Sequence, residues 1–206
     1  MKHLVTALIH KGVLKTPALI EAFEDIDRKN FVPVAYADEA YEDSALPIGH
    51  GQTISQPYTV AFMLELLQPK RGDKVLDVGS GSGWQTALLA HIVGTEGTVI
   101  GIERIPELKE MGEKNISRYD FIQKGIVTVL SINAEDGLPK EAPFDCIISG
   151  ASAQEVPAAW KEQLSIGGRI VMPVHDSIFL IIKQGENEFR EEEYPGFSFV
   201  PFIHKK

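Results

Sequence analysis

The stretch KVLDVGSGSGWQTALLA, residues 74–90, decides the fold. It begins with a mostly apolar run typical of a buried strand, and it ends in a run with helical character. Glycines at positions 79, 81 and 83 separate the two. Glycine allows the backbone to turn tightly and to approach a ligand closely, and the start of a helix offers unpaired N–H groups. The stretch therefore predicts a strand, a ligand-binding turn and a helix.

The same alternation of strand and helix continues downstream. Further strand-like runs are TVIGIE (98–103), IVTVLSIN (126–133), FDCIISG (144–150) and GRIVMPV (168–174), and the helical stretches are WQTALLAHIVG (84–94), PELKEMGEKNISRY (106–119) and EVPAAWKEQL (155–164). Because the strands are continuously apolar, they indicate a mostly parallel, doubly wound α/β sheet that is covered on both faces. Residues 179–203, with a GENE turn, predict an antiparallel hairpin at the edge of the sheet.

The first 60 residues have a different pattern. Apolar positions Leu4, Leu8 and Ile9 suggest one helix. Thr16 and Pro17 form an N-cap and first-turn pair that predicts a second helix. Its inward residues are expected to be Leu19, Ala22, Phe23 and Ile26. Residues 31–57 are predicted to be irregular. We expect one domain over residues 1–206, with residues 1–60 as an N-terminal helical and loop extension.

The glycine turn favours an adenosine ligand without a pyrophosphate. A dinucleotide-binding turn requires Gly-x-Gly-x-x-Gly, but the residue three positions after Gly81 is Trp84. Glu103 ends the next strand, where a carboxylate can accept hydrogen bonds from both ribose hydroxyls. Taken singly, the glycines could form a plain tight turn and Glu103 could be a surface charge. Together they favour an adenosine ligand, of which S-adenosylmethionine is the common example.

Composition narrows the function classes. The chain has 206 residues, 44% hydrophobic and 24% charged, which is enough for a substantial core. The net charge of −9 argues against a nucleic-acid partner. The single Cys146 fits a small buried hydrophobe in a reducing compartment. The six histidines show no ligand spacing, so no metal site is expected. The N-terminus shows neither a signal peptide nor a membrane span, so we expect a cytoplasmic protein.

The loop PIGHGQTISQPYTV, residues 47–60, concentrates hydroxyl and amide groups before a hydrophobic run. With KVLDVGSGSGWQTALLA, LPKEAPFDCIISGAS, QLSIGGRIVMPV and FVPF, it follows in order and spacing the landmarks of the protein L-isoaspartyl O-methyltransferase family. The chain resembles that family over nearly its whole length. The resemblance implies a class I methyltransferase, Rossmann-like fold and S-adenosyl-L-methionine as the methyl donor. The acceptor would be the free carboxylate of L-isoaspartyl residues in damaged proteins, with D-aspartyl residues as a further substrate, and the ester would begin repair through a succinimide.

The resemblance also implies roles for individual residues. Ser55 would be the catalytic residue and would contact the substrate. Val200 and Pro201 would lie against the substrate peptide. The cofactor contacts would be Thr53, Ile54, Gly79, Ser80, Gly81, Gly83, Glu103, Asn133 and Ala134. Isoaspartyl proteins and peptides would be the partners of a monomeric enzyme.

Several alternatives stay open. Ser55 precedes Gln56-Pro57 and a helical run, so it could instead be a helix N-cap. His50, in the same loop, is expected to stabilise the loop. Asn133 stands where the family has an aspartate that accepts from the adenine amino group, and its amide oxygen could do the same; another register would place Asp136-Gly137 there. The rival functions are a carboxyl methyltransferase for another peptide and a non-catalytic isoaspartyl-binding protein.

Overall fold

The N-terminal part consists of helices and one small hairpin. The structure, a computed structural model, describes residues 1–133 and 135–202. Helices α1 (Lys2–His10) and α2 (Pro17–Asp25) come first and are followed by two short 3-10 turns. Strands β1 (Leu46–Gly49) and β2 (Gln52–Ile54) then pair antiparallel, and α3 (Pro57–Leu67) follows directly.

A seven-stranded sheet follows, and it is wound as the sequence predicts. Its strands are β3 (Lys74–Val78), β4 (Thr98–Ile102), β5 (Val127–Leu130), β6 (Phe144–Ser149), β7 (Leu164–Val174), β8 (Ser177–Gly185) and β9 (Glu188–Pro195). The order is β5-β4-β3-β6-β7-β8-β9. Strands β3 to β7 are parallel, and β8 and β9 add the antiparallel edge hairpin around the predicted GENE turn. The predicted fold class is confirmed.

The two faces of the sheet bury alternate residues of each strand. Val75 and Val99 face the larger core, which contains the buried side chains of α1 to α4 and of α5 (Pro106–Ile116). Leu76 and Ile100 face the smaller core, which is built around Trp160 of the short helix α6 (Ala158–Glu162). Helix α4 (Trp84–Val93) is buried on nearly all sides, which explains why its sequence is almost continuously apolar.

The N-terminal prediction needs three corrections. Residues 31–57 are not simply irregular, because they contain the β1–β2 hairpin. Its two-residue turn has His50 at φ 53° and Gly51 at φ 71°, the primed geometry that matches the twist of a hairpin. Ile9 is 39% exposed, and Val5 takes the inward position beside Leu4 and Leu8. Thr16 and Pro17 hold the predicted N-cap and first positions of α2, but Thr16 makes no capping hydrogen bond with its side chain, since its hydroxyl donates to Glu65 instead.

Two predicted helices are shorter than expected. Helix α5 ends at Ile116, and a 3-10 turn covers Ser117–Tyr119. Helix α6 spans only Ala158–Glu162 of the predicted 155–164, because Leu164 already begins β7.

Among residues 1–133 and 135–202, no helix combines the length and apolar character needed to cross a membrane.

Candidate active site

The glycine turn lies at the carboxyl edge of the sheet, directly after β3. Gly79, Gly81 and Gly83 all have positive φ angles, of 76°, 52° and 88°, which residues with a side chain rarely adopt. The backbone N–H groups of Gly79 and Ser80 donate to the carbonyl of Ile102 at 2.8 and 3.0 Å. The turn is therefore fixed to the end of β4 as well as to β3.

Close packing fixes the turn from outside. A Cβ on Gly83 would lie 2.9 Å from the Ile116 side chain and 3.0 Å from the Gly112 carbonyl oxygen, so α5 packs directly against it. A Cβ on Gly81 would lie 3.2 Å from Cδ1 of Ile48 in β1. The hairpin that leads to Ser55 thus touches the glycine turn. Gly83 precedes α4 and packs against α5, and it lines none of the three open spaces at this edge of the sheet.

Glu103 holds the turn from the end of β4. Its side chain is buried, and Oε2 accepts from the Gly81 N–H at 2.9 Å while Oε1 accepts from the Ile105 N–H at 2.8 Å. A carboxylate has about four acceptor positions, so two remain for a ligand. This arrangement fits the two hydroxyls of a ribose. It also rules out the alternative that Glu103 is a surface charge.

A cavity opens beside this turn. We call it the glycine-loop cavity. The predicted residues that line it are Thr53, Gly79, Gly81, Glu103, Asn133, Val200 and Pro201. Ile105 and Ile132 also line it and were not predicted as site residues; their apolar side chains suit the faces of a purine ring. Glycine backbone, a carboxylate with free acceptor positions and apolar walls together fit an adenosine.

A second space lies on the other side of Thr53. We call it the Ser55 groove. The residues that line it include Ser55, Gln56, Tyr58, Phe197 and Phe199. A third, smaller space between the two is lined by Ser55, Ile54, Ser80, Gln85 and their neighbours. Thr53 and Gly150 border all three spaces, so a molecule in the cavity and one in the groove would meet at these two residues.

Ser55 is not a helix cap. Helix α3 begins at Pro57, and Oδ1 of Asp43 accepts from the Tyr58 N–H at 2.8 Å, which satisfies an amide of the first turn. Across the described part of the chain, no protein group hydrogen-bonds the Ser55 hydroxyl. The hydroxyl borders the groove and is available to a ligand. The neighbouring Gln56 amide is engaged, since it donates to the Asp43 carbonyl at 3.0 Å.

The C-terminal segment lies over the site instead of extending the edge hairpin. The Val200 carbonyl accepts from the Ser152 N–H at 2.9 Å, and the Phe202 N–H donates to the Ser152 carbonyl at 2.7 Å. Val200 borders both the cavity and the groove, and Pro201 borders the cavity. The segment is thus placed where a substrate bound in the groove would contact it.

Asn133 lines the glycine-loop cavity, as the preferred register predicts. Its Oδ1 accepts from the Glu135 N–H at 3.3 Å and keeps acceptor capacity for a ligand. The alternative pair, Asp136-Gly137, packs against Gln163, whose Nε2 donates to the Asp136 carbonyl at 2.8 Å. The geometry therefore favours Asn133 over Asp136. The predicted contact Ala134 lies outside the described residues.

Asp77, within β3, is a buried carboxyl group that the sequence did not single out. It accepts from Thr86 Oγ1 at 2.6 Å and from Gln85 Nε2 at 2.7 Å, which ties the first turn of α4 to the strand. Burial raises the pKa of Asp77 to about 6, against the lowering effect of these two hydrogen bonds, and the nearby Glu103 raises it further.

The other candidate groups lie away from these spaces. His50 is exposed at the tip of the hairpin, consistent with a role in the turn. Cys146 is buried, and burial raises the pKa of its thiol, so it is an inert core residue. Glu21, Asp25 and His91 come together on α2 and α4, but the two acidic groups are exposed, and no such group was predicted.

Comparison with known proteins agrees with the geometry. The family model for protein-L-isoaspartate(D-aspartate) O-methyltransferase matches residues 1–206. A protein-L-isoaspartate O-methyltransferase from Methanopyrus kandleri is 42% identical over 98% of this chain and 90% of its own. One from Flavobacterium psychrophilum is 43% identical over 98% of this chain and 93% of its own.

A solved structure shows the same fold over nearly the whole chain. It comes from Plasmodium falciparum and is described as a protein-L-isoaspartate O-methyltransferase in complex with S-adenosyl-L-homocysteine. It aligns with a TM-score of 0.87 and 25% identity, and the alignment covers 98% of this chain and 97% of that one. The match of the family model and the identity of these relatives lead to one conclusion: the chain belongs to the protein-L-isoaspartate(D-aspartate) O-methyltransferase family.

Proposed function

We propose that this protein transfers a methyl group from S-adenosyl-L-methionine to the free carboxylate of L-isoaspartyl residues in damaged proteins. D-aspartyl residues are a secondary substrate, and the ester starts repair by collapsing to a succinimide. One observation carries the proposal within the family: Thr53 and Gly150 border both the glycine-loop cavity and the Ser55 groove. A donor in the cavity and a carboxylate in the groove would meet there.

The acceptor requires placement more than activation. A carboxylate with a pKa near about 4 is already ionised at neutral pH, so the reaction needs no strong general base. Holding two reactants in the geometry of attack can lower a barrier by roughly 7–11 kcal/mol at best. The hydroxyl of Ser55 has no hydrogen-bond partner in the described protein, so it is suited to hold the carboxylate in place. It can donate a hydrogen bond to the anion without pairing its charge permanently.

The residues of the glycine-loop cavity would hold the methyl donor, S-adenosyl-L-methionine, which supplies a methyl group on a positively charged sulfur. Glu103 would accept from the ribose hydroxyls with its two remaining acceptor positions. Asn133 Oδ1 would accept from the adenine amino group. Ile105 and Ile132 would contact the ring, and Thr53 with Ile54 would lie towards the acceptor.

A matched pair of peptides tests this function. One peptide contains an isoaspartyl residue, and its twin contains normal aspartate at the same position. With S-adenosyl-L-methionine labelled in the methyl group, we expect label on the isoaspartyl peptide alone, followed by release of labelled methanol as the ester collapses. Equal labelling of the twin would indicate a general carboxyl methyltransferase. Binding of the isoaspartyl peptide without labelling would indicate a reader that does not catalyse transfer.

We further propose that the protein works in the cytoplasm. Cys146 is buried and has no second cysteine to pair with, which suits a reducing compartment. Fractionation of the source cells with an antibody against the chain tests the location, and recovery of the protein outside the cytoplasmic fraction would contradict it.

A further inference from the structure

Arg28 is a buried cation whose guanidinium collects four backbone carbonyls. Its side chain is 0% exposed. Nη1 donates to the carbonyls of Ala40 at 2.9 Å and Glu42 at 3.2 Å. Nη2 donates to the carbonyls of Ser44 at 2.9 Å and Ser55 at 3.1 Å. The last of these contacts reaches the backbone of the proposed acceptor-binding residue.

This charge is held without a direct ion pair. In the part of the chain that the structure describes, no carboxylate accepts a hydrogen bond from the Arg28 guanidinium, and its Nε is buried without a partner. Burial lowers the pKa of Arg28 to about 10, and the charge of Asp43 opposes that effect. The group therefore stays protonated at neutral pH. A buried cation is costly to desolvate, and an apolar side chain at this position could not donate to the four carbonyls.

The contacts of Arg28 join the two halves of the site. The segment that contains Ala40, Glu42 and Ser44 leads into the β1–β2 hairpin, and Ser55 follows that hairpin. The guanidinium carbon also lies 5.2 Å from the ring centroid of Trp84. Trp84 is the first residue of α4, directly after the glycine turn. One planar group thus contacts both the acceptor loop and the start of the cofactor-binding helix.

The hydrogen-bonding pattern explains how Arg28 would act on Ser55. The Ser55 hydroxyl has no hydrogen-bond partner among the described residues, so the place of its backbone decides where the hydroxyl can reach. Among the described residues, the one side-chain hydrogen bond to that backbone comes from Nη2 of Arg28. A lysine could not reproduce the four carbonyl contacts together, since its three donors radiate from one nitrogen, whereas the guanidinium presents two nitrogens in a planar fork.

We infer that Arg28 is a positioning residue for methyl transfer: its guanidinium holds the backbone of Ser55 at a fixed place relative to the glycine turn. The inference rests on the proposed function, in which Ser55 contacts the acceptor carboxylate. It assigns Arg28 to alignment of the acceptor and not to binding of the cofactor.

Arg28→Lys tests the inference, with Arg169→Lys as a matched control. Arg169 also donates to a backbone carbonyl, that of Leu66 at 2.8 Å, but it lies on β7 outside the three spaces of the site. Turnover of the isoaspartyl peptide is measured at saturating S-adenosyl-L-methionine and divided by the number of S-adenosyl-L-homocysteine sites found by calorimetric titration. This division removes any unfolded fraction, so a merely structural role would leave the ratio unchanged.

For Arg28→Lys we expect turnover per site to fall about 10- to 100-fold, because a small displacement of an aligned group has effects of that size. Affinity for S-adenosyl-L-homocysteine should stay near that of the wild type, and Arg169→Lys should turn over normally. A normal turnover per site in Arg28→Lys would overturn the inference while leaving the proposed function intact. Lack of turnover in the wild type would overturn the proposed function and the inference with it.

A second variant keeps the test decisive if Arg28→Lys binds no S-adenosyl-L-homocysteine. Arg28→Ala leaves a space shaped for a guanidinium ion, so turnover per site is measured with guanidinium chloride and with sodium chloride at the same ionic strength. We expect a saturable increase with guanidinium alone. No increase, or the same increase with sodium, would overturn the assignment.

Discussion

Replacing Glu103 by glutamine tests how the cofactor site is built. The carboxylate accepts from two backbone N–H groups, those of Gly81 at 2.9 Å and Ile105 at 2.8 Å. A carboxamide has one accepting oxygen and one donating nitrogen. In Glu103→Gln, one of the two N–H groups must therefore face another donor, and the acceptor offered to the ribose loses its charge.

The size of the effect follows from these contacts. Leaving a buried donor unpaired costs roughly 1–3 kcal/mol, and a hydrogen bond to a charged group is worth roughly 1.5–3 kcal/mol. Loss of one charge-assisted contact to the ribose should raise the Kd for S-adenosyl-L-homocysteine about 10- to 100-fold, since each 1.4 kcal/mol is about tenfold. The unpaired N–H should also lower the melting temperature of the free protein.

Calorimetry with S-adenosyl-L-homocysteine and a thermal melt measure both effects. Glu107→Gln is the matched control, because Glu107 lies exposed four residues later, in the first turn of α5. Its replacement removes the same charge without a contact to the glycine turn. The control should bind within about twofold of the wild type, as surface changes of this kind usually have small effects. An unchanged Kd and melting temperature in Glu103→Gln would refute the role assigned to Glu103.

Three further predictions concern other parts of the site. Ser55→Ala should lower turnover of an isoaspartyl peptide by about 10- to 100-fold, which is the value of one hydrogen bond to a charged acceptor. The melting temperature should change little, because Asp43 and not Ser55 caps α3. A large drop in melting temperature with normal turnover would contradict this prediction. Asn133→Leu should weaken S-adenosyl-L-homocysteine binding by about 1–3 kcal/mol through loss of the adenine acceptor, and calorimetry showing unchanged affinity would remove Asn133 from the site. Asp77 has a folded pKa raised to about 6 from 3.8, so it binds more protons when folded and its ionisation lowers stability as the pH rises between these values. Denaturant unfolding should therefore show Asp77→Asn gaining about 3 kcal/mol of stability relative to the wild type from acid to neutral pH. A constant difference over this range would disprove the shift.

The central sheet was predictable because its signals are local. Each strand from β3 to β7 is an apolar run, and the turn after β3 carries glycines at the three positions that have positive φ. The strand pattern placed Glu103 at the end of β4, whereas the family resemblance singled out Asn133 after β5. The sheet topology brings both residues to one cavity, because the carboxyl ends of neighbouring parallel strands lie at the same edge of the sheet.

The hairpin and the buried arginine were not predictable in the same way. The β1–β2 strands are four and three residues long, too short for a clear alternation, and their turn uses His50 in a conformation more typical of glycine or asparagine. Arg28 lies in the polar run DRKN, which reads as a solvated surface. Its burial depends on four carbonyls that are 12 to 27 residues away, and no local pattern encodes that contact.

The capping alternative for Ser55 failed for a similar reason. The sequence SQP before an apolar run favours a cap at the serine, but the helix begins two residues later and its amide pairs with Asp43, 15 residues upstream. The carboxylate of Asp43, which is distant in sequence, thus caps the helix where the local sequence favours a serine cap. This arrangement leaves the Ser55 hydroxyl available to a ligand.

A crystal structure of the protein with S-adenosyl-L-homocysteine and an isoaspartyl peptide would test the central claim most directly. We predict the adenosine in the glycine-loop cavity with its ribose on Glu103, and the isoaspartyl carboxylate in the groove within hydrogen-bond distance of Ser55 Oγ. One oxygen of the isoaspartyl carboxylate should point at the sulfur of S-adenosyl-L-homocysteine, with Thr53 and Gly150 beside the line between the two atoms. A peptide bound elsewhere, or a carboxylate held in the groove by other groups with its oxygens directed away from the sulfur, would contradict the account.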